Sequence, residues 1–238
     1  MSKKQLFCFT FAGGSASFYD EIEDDLPELE LIKVEYPGHG SRYKDPFAED
    51  FDELADDSYR QIKEKYNGQT YGLIGYSMGT IAVVEVLKRI LEDSEMTDPS
   101  HIFLAAHEPH TKTELAGFTE DKLDEWIREH TLQFGGIPDK LAQNKTFWRM
   151  YLPIYRADYT LIQNYQFEEI NLKTSIPASI FYSDLDTPRC KMEKWKKYFT
   201  GSCDFHCYEG NHFFIQEHHQ EIAIVIWSKM NQGAQHDI

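Results

Sequence analysis

The chain has 238 residues, 24 Lys and Arg against 40 Asp and Glu, a formal net charge of −16 and 41% hydrophobic residues. That length buries a good core and fits one α/β domain over residues 1–238 with an insertion inside it. The charge argues against nucleic acid or an anionic membrane as partner, and no apolar stretch approaches the roughly 18 to 20 residues of a membrane span. In chain order, Met1-Ser2-Lys3-Lys4 and the apolar run after it imitate a short signal peptide. The run is barely long enough, however, and it leads into a loop that the site needs, so cleavage would destroy the site. Leu6 to Phe11 reads as a strand, followed by the small-residue loop Ala12-Gly13-Gly14-Ser15-Ala16-Ser17. A helical pattern covers Asp52 to Tyr66. Tyr71 to Ile74 predicts a strand, and a helix follows from Met78 to Leu91. From about His110 to Phe167 the rhythm breaks into helices rich in aromatics, among them Trp126, Phe134, Phe147, Trp148, Tyr151, Tyr155, Tyr159 and Tyr165. Ile176 to Tyr182 and Asp204 to Tyr208 read as strands, and Phe213 to Met230 as the last helix. Strands alternating with helices imply a mostly parallel sheet with crossover helices.

The strand and helix around Gly75-Tyr76-Ser77-Met78-Gly79 give that pentapeptide its meaning. A sharp strand-to-helix turn through G-x-S-x-G holds the serine hydroxyl clear of the sheet, at the positive end of the helix. The glycines serve because a β-carbon would clash in so tight a turn. A nucleophilic serine needs a base and a group to orient it. His212, in Gly210-Asn211-His212-Phe213-Phe214, follows the last strand. Asp186 follows the strand before it, with Asp184 as its competitor for the acid role; the position a few residues past the strand end favours Asp186. The order Ser, Asp, His is that of α/β-hydrolases. Oxyanion donors are expected from the Met78 amide and from Ala12 or Phe11 in the early glycine loop. A phosphate loop is the rival for that stretch, but G-x-x-x-x-G-K-[ST] is missing. The aromatic insertion, about residues 110–167, is the expected lid over an acyl channel. Most of its aromatics are expected to pack the lid, with a minority lining the channel. Cys8, Cys190, Cys203 and Cys207 fit no zinc or redox pattern, which points to a reduced, cytoplasmic protein without metal or cofactor.

Several segments together resemble the type II thioesterases, stand-alone α/β-hydrolases that accompany nonribosomal peptide and polyketide synthases. They are the A-G-G-S-A-S loop, Pro37-Gly38-His39-Gly40-Ser41-Arg42, the G-Y-S-M-G elbow, Leu152-Pro153-Ile154-Tyr155-Arg156-Ala157-Asp158, the Asp186 loop and G-N-H-F-F. The likeness spans essentially the whole chain. It implies an α/β-hydrolase fold, with a mostly parallel twisted sheet, helices on both faces and a helical lid. It also implies the triad Ser77, Asp186 and His212, with Ala12 and Met78 as oxyanion donors. Departures stand at Thr10 (commonly proline), His39 (often arginine), Asn211 and Ser183 (each a glycine). The implied substrate is an acyl group on the phosphopantetheine arm of a carrier protein, and the protein itself is expected to be a monomer. Carrier proteins of this kind are usually acidic, so a chain of −16 needs a local patch to receive one. Arg189, Lys191, Lys194, Lys196 and Lys197 form the candidate docking helix. A carboxylesterase or a fatty-acyl chain-release hydrolase could use the same triad, and a non-catalytic binding module could keep the same fold.

Overall fold

The apolar runs become central strands because helices cover them on both faces. The computed structural model describes residues 2–110 and 118–232. Its strands are β1 (Lys4–Phe9), β2 (Leu29–Lys33), β3 (Tyr71–Tyr76), β4 (His101–Ala105), β5 (Ala178–Tyr182) and β6 (Cys203–Cys207). They form one sheet in the order β2-β1-β3-β4-β5-β6, with every neighbouring pair parallel. Every residue of β3 and β4 is buried, as a strand covered on both sides requires. Alternate residues enter two separate cores. Phe7, Phe9, Leu73, Ile102, Leu104 and Ile180 face one, while Leu6, Cys8, Ile74, Tyr76, Phe103 and Phe181 face the other.

The described helices are α1 (Asp20–Asp25), α2 (Phe51–Lys65), α3 (Met78–Glu92), α4 (Glu120–Gln133), α5 (Asp139–Ala142), α6 (Lys145–Asn164), α7 (Arg189–Met192), α8 (Phe214–Glu217) and α9 (His219–Asn231). Residues of α2 and α3 fill the first core and residues of α1 and α9 the second. Asp50 starts α2 by accepting the Glu53 amide at 2.8 Å, satisfying one of the donors that a helix start leaves open. The chain leaves β1 toward β2 on one side and β3 toward β4 on the other. Loops at the carboxyl ends of β1 and β3 therefore diverge and open a crevice between them. The two loops singled out in the sequence stand there side by side.

Several boundaries differ from the sequence reading. The strand expected from Ile176 starts at Ala178, after Pro177, which has no N–H to give a ladder. The last helix is broken at His218, whose φ and ψ are −118° and 23°. Its ring bridges Glu221 and the Glu209 carbonyl, and these bonds hold the break. The basic stretch 189–197 is α7, one turn long, followed by the tight turn Glu193–Lys197. Between β4 and β5 stand α4, α5 and α6, where the aromatic insertion was expected, although residues 111–117 of that segment lie outside the described ones. The expectation that only a minority of its aromatics line a cavity was too low. Trp126, Phe134, Tyr155 and Tyr159, half of the eight, border the cavity at Ser77, and Phe147 and Tyr151 border a second groove. None of the described helices is long and apolar enough to cross a membrane.

Candidate active site

Ser77 joins β3 to α3 with φ 53° and ψ −118°, a region that costs a non-glycine residue on the order of 1–3 kcal/mol. Surrounding bonds hold it there. The Ser77 amide donates to Ala105 O at 2.8 Å, and the Thr80 amide and hydroxyl donate to Ser77 O at 2.9 and 2.8 Å. The flanking glycines leave no room for a side chain. A β-carbon on Gly75 would lie 2.3 Å from Gly79 O, and one on Gly79 would lie 2.2 Å from Phe9 O. The elbow is therefore packed against β1 through bare backbone.

His212 reaches this serine from the loop after β6. Its Nε2 lies 3.1 Å from Ser77 Oγ and its Nδ1 lies 2.9 Å from Asp186 Oδ1. With Asp186 accepting the Nδ1 proton, Nε2 is left to accept from the serine. The histidine is held from three sides. Tyr76 donates its hydroxyl to His212 O, and burial pushes that phenol well above its ordinary pKa, so it remains a donor. Phe134, just past the end of α4, stacks on the imidazole with ring centres 4.2 Å apart and planes 25° apart. Ser183 Oγ donates to Gly210 O at 2.6 Å and ties the acid loop to the histidine loop. Asp184 stands elsewhere: exposed, it accepts from the Arg189 amide at 3.1 Å and caps α7. Asn211 Oδ1 accepts from the Phe213 amide at 2.8 Å. Two of the positions where the chain departs from the type II pattern thus act as loop braces.

A cavity of about 200 Å³ opens beside Ser77, Asp186 and His212. Ala12 and Phe11 both border it, so the early loop and the elbow converge as their strand order allows. Met78 is the first residue of α3, and its N–H has no carbonyl one turn back inside the helix. The next amide of the early loop, Gly13, is already engaged and donates to Asp158 Oδ2 at 2.6 Å. Phe11, Thr131, Tyr155 and Phe213 separate this cavity from a larger groove of about 1060 Å³. Lys191 borders the cavity as well. Lys191 and Lys194 reach the carboxylate of Glu108 at 2.9 and 2.8 Å, and Arg189 and Lys196 reach Glu193 at 3.3 and 3.1 Å. Burial raises the Glu108 pKa, but the two lysines outweigh it and hold the carboxyl below its usual value. Four of the five basic residues in this stretch are thus partly neutralised by nearby acids.

Sequence reasoning missed Tyr76, Phe134, Ser183 and the Asp158 contact as site residues. Asp158 and His39 lay in motifs already singled out, yet 119 residues separate them, and no local spacing signals their meeting.

A parallel sheet with helices on both faces and a serine on a strained turn after a central strand is the α/β-hydrolase fold. Residues 4–229 match the family described as the thioesterase domain. The chain belongs to that family and is a hydrolase of acyl thioesters. It is 28% identical over 232 residues to the linear gramicidin dehydrogenase LgrE of Brevibacillus parabrevis, covering 94% of this chain and 87% of the relative. It is also 28% identical over 218 residues to the medium-chain S-acyl fatty acid synthase thioesterase of Rattus norvegicus, covering 90% and 82%. Among solved structures, the type II thioesterase BorB from the borrelidin biosynthetic cluster superposes with a TM-score of 0.81 at 25% identity, over 96% of this chain and 93% of BorB.

Proposed function

We propose that this chain removes acyl groups from the phosphopantetheine arms of carrier proteins in a nonribosomal peptide or polyketide synthase, through an acyl-enzyme on Ser77. The observation that carries the proposal is the hydrogen-bonded line Ser77, His212, Asp186 at the rim of a cavity, in a chain of the thioesterase family. The likeness to BorB, a type II thioesterase of a biosynthetic cluster, supports the carrier-bound substrate. One relative is named a dehydrogenase, but a serine, an imidazole and a carboxylate in hydrogen-bonded series favour acyl transfer here.

Chemistry follows from the geometry. Ser77 Oγ attacks the thioester carbonyl as His212 Nε2 takes its proton, and Asp186 steadies the imidazolium. The carbonyl oxygen gains charge that the Ala12 and Met78 amides stabilise. The tetrahedral intermediate collapses, the carbon–sulfur bond breaks, and His212 returns the proton to the departing pantetheine thiolate. Thiols ionise near pH 8.5, so this leaving group departs readily and the serine ester becomes the harder step. Water then attacks that ester with His212 as base, releasing the acid and restoring the serine.

The cavity of about 200 Å³ beside Ser77 is bordered by Phe11, Phe134, Tyr155 and Phe213, and short acyl groups fit it most readily. Release of a finished fatty acyl chain is the second reading, favoured by the rat relative. A longer chain would have to pass Phe11 and Phe213 into the larger groove. The carrier docks as a monomer-to-monomer encounter on residues 189–197, where Lys191 meets the cavity and Lys197 adds charge. Mass spectrometry of acyl-loaded carrier proteins, with acyl-coenzyme A and p-nitrophenyl esters alongside, tests the proposal. Short-chain carrier substrates should be deacylated, and Ser77→Ala should lose several orders of magnitude in rate. Full activity in Ser77→Ala would end the triad assignment, and turnover of the oxygen esters alone would make the protein a carboxylesterase.

A further inference from the structure

Behind the early glycine loop, two fully buried side chains of opposite charge type meet. Asp158 projects from α6, and His39 from the turn after β2; their exposures are 1% and 2%. One oxygen of Asp158, Oδ2, accepts from the Gly13 amide at 2.6 Å and lies 2.9 Å from His39 Nε2. The other ring nitrogen, Nδ1, lies 2.9 Å from Pro37 O. Both nitrogens of this imidazole therefore face acceptors. Only the imidazolium, with a proton on each, donates to both. The loop is gripped a second time by α6, because Gly13, at φ +77°, lies against the Tyr155 ring so closely that a β-carbon there would sit 2.1 Å from it.

We infer that His39 and Asp158 are positioning residues, an imidazolium–carboxylate pair that locks α6 onto Gly13 and so fixes the neighbouring Ala12 amide where the oxyanion forms. The inference rests on the reading of Ser77 as nucleophile and Ala12 as donor. The pair touches no reacting atom; it acts through one peptide unit. That is enough, because a shift of about 1 Å in a catalytic group costs on the order of a hundredfold in rate. Removing Asp158 takes away the acceptor of the Gly13 amide, and removing His39 leaves the Asp158 charge buried without its compensating cation. Either change loosens the hold of α6 on the loop.

The lock is titratable. The ionisable groups around His39 are Asp158 from α6, and Glu35 and the phenol of Tyr36 from the segment after β2. Tyr155 and Tyr159 bear on Asp158 from the same helix. Glu35 is itself bound by the Ala16 and Ser41 amides at 2.9 and 3.1 Å. Burial alone would lower the His39 pKa, but Asp158, the Pro37 carbonyl and Glu35 outweigh it and leave it above 6.5. A raised folded-state value means the pair is complete below the unfolded value, about 6.5, and is lost as pH rises through the folded one. The wild-type rate should therefore fall on the alkaline side as the lock opens.

The test uses the full chain with a short acyl-coenzyme A, following thiol release between about pH 6 and 9.5. Rates are normalised to the fraction of Ser77 labelled by a fluorophosphonate, which removes unfolded protein from the comparison. His39→Gln and Asp158→Asn should each lower kcat about tenfold or more with KM within about twofold, and His39→Gln should abolish the alkaline fall. His39→Arg, which cannot lose its charge, should restore kcat at neutral pH and keep it at alkaline pH. If kcat per labelled serine in His39→Gln stays within about twofold of wild type and the pH profile is unmoved, the positioning role is wrong. Should His39→Arg fail to fold, the Gln and Asn variants still decide. Activity remaining in Ser77→Ala would instead overturn the triad reading, a separate result.

Discussion

Gly79→Ala tests whether the elbow's bare-backbone packing is needed for the site. The added β-carbon would lie 2.2 Å from Phe9 O, 2.7 Å from Phe9 C and 2.8 Å from Thr10 O, where ordinary contact starts at 3.4 Å. All three are backbone atoms, and Phe9 is held in register opposite Gly75 by the β1–β3 pairing. Something must therefore give by about 1 Å, and the free end is the start of α3. Against this, alanine in a helix gains about 1 kcal/mol over glycine. Overpacking a rigid site costs about 1–3 kcal/mol, sometimes more, so the overlap wins or nearly cancels in stability. At about 2–4 °C per kcal/mol for a chain of this size, a net loss of up to about 2 kcal/mol should lower Tm by up to roughly 8 °C. Rate suffers more, because the same shift carries Ser77 and the Met78 amide with it: kcat/KM should drop about a hundredfold. Scanning fluorimetry and a thiol-release assay on the same preparation measure both. An alanine variant with wild-type Tm and wild-type kcat/KM would refute the packing argument.

Ser183→Ala removes the hydroxyl bridging the acid and histidine loops, and about 1 kcal/mol of stability should go with it. A loss of kcat of a few fold should accompany that fall in Tm; an unchanged kcat would mean the brace does not steady His212. Thr10 is fully buried, and its hydroxyl finds no hydrogen-bond partner among the described residues. The near-isosteric Thr10→Val should therefore raise Tm by about 2–4 °C, read by calorimetry, and a lower Tm would show that the hydroxyl is satisfied in solution. Reversing Lys196 and Lys197 to glutamate should raise KM for acyl-carrier substrates and spare small thioesters, while equal effects on both would dispose of the docking surface.

Much of the site was legible because its chemistry sits in short motifs. The elbow reads locally, since glycines flanking a serine between an apolar run and a helical pattern leave few conformations open. His212 and Asp186 were legible by their offset from the last two strands. Asp184 and Asp186 are separated in space by what each meets. One caps α7 and the other faces the imidazole, and that depends on how the loop after β5 folds against the loop after β6. The basic stretch is helical, as α7 and the tight turn after it, but five cations in nine residues say nothing about Glu108, which arrives from just past the end of β4 and pairs with two of them.

The sequence by itself determined the elements, their parallel order and the residue types available for acyl transfer, because period, glycine placement and strand ends are local properties. Tertiary structure alone decided which distant groups meet: Asp158 with Gly13 and His39, Phe134 with His212, and Ser183 with Gly210. Such pairs are set by how the sheet twists and where the inserted helices land. Those contacts are made across gaps of many residues, and no spacing along the chain encodes them.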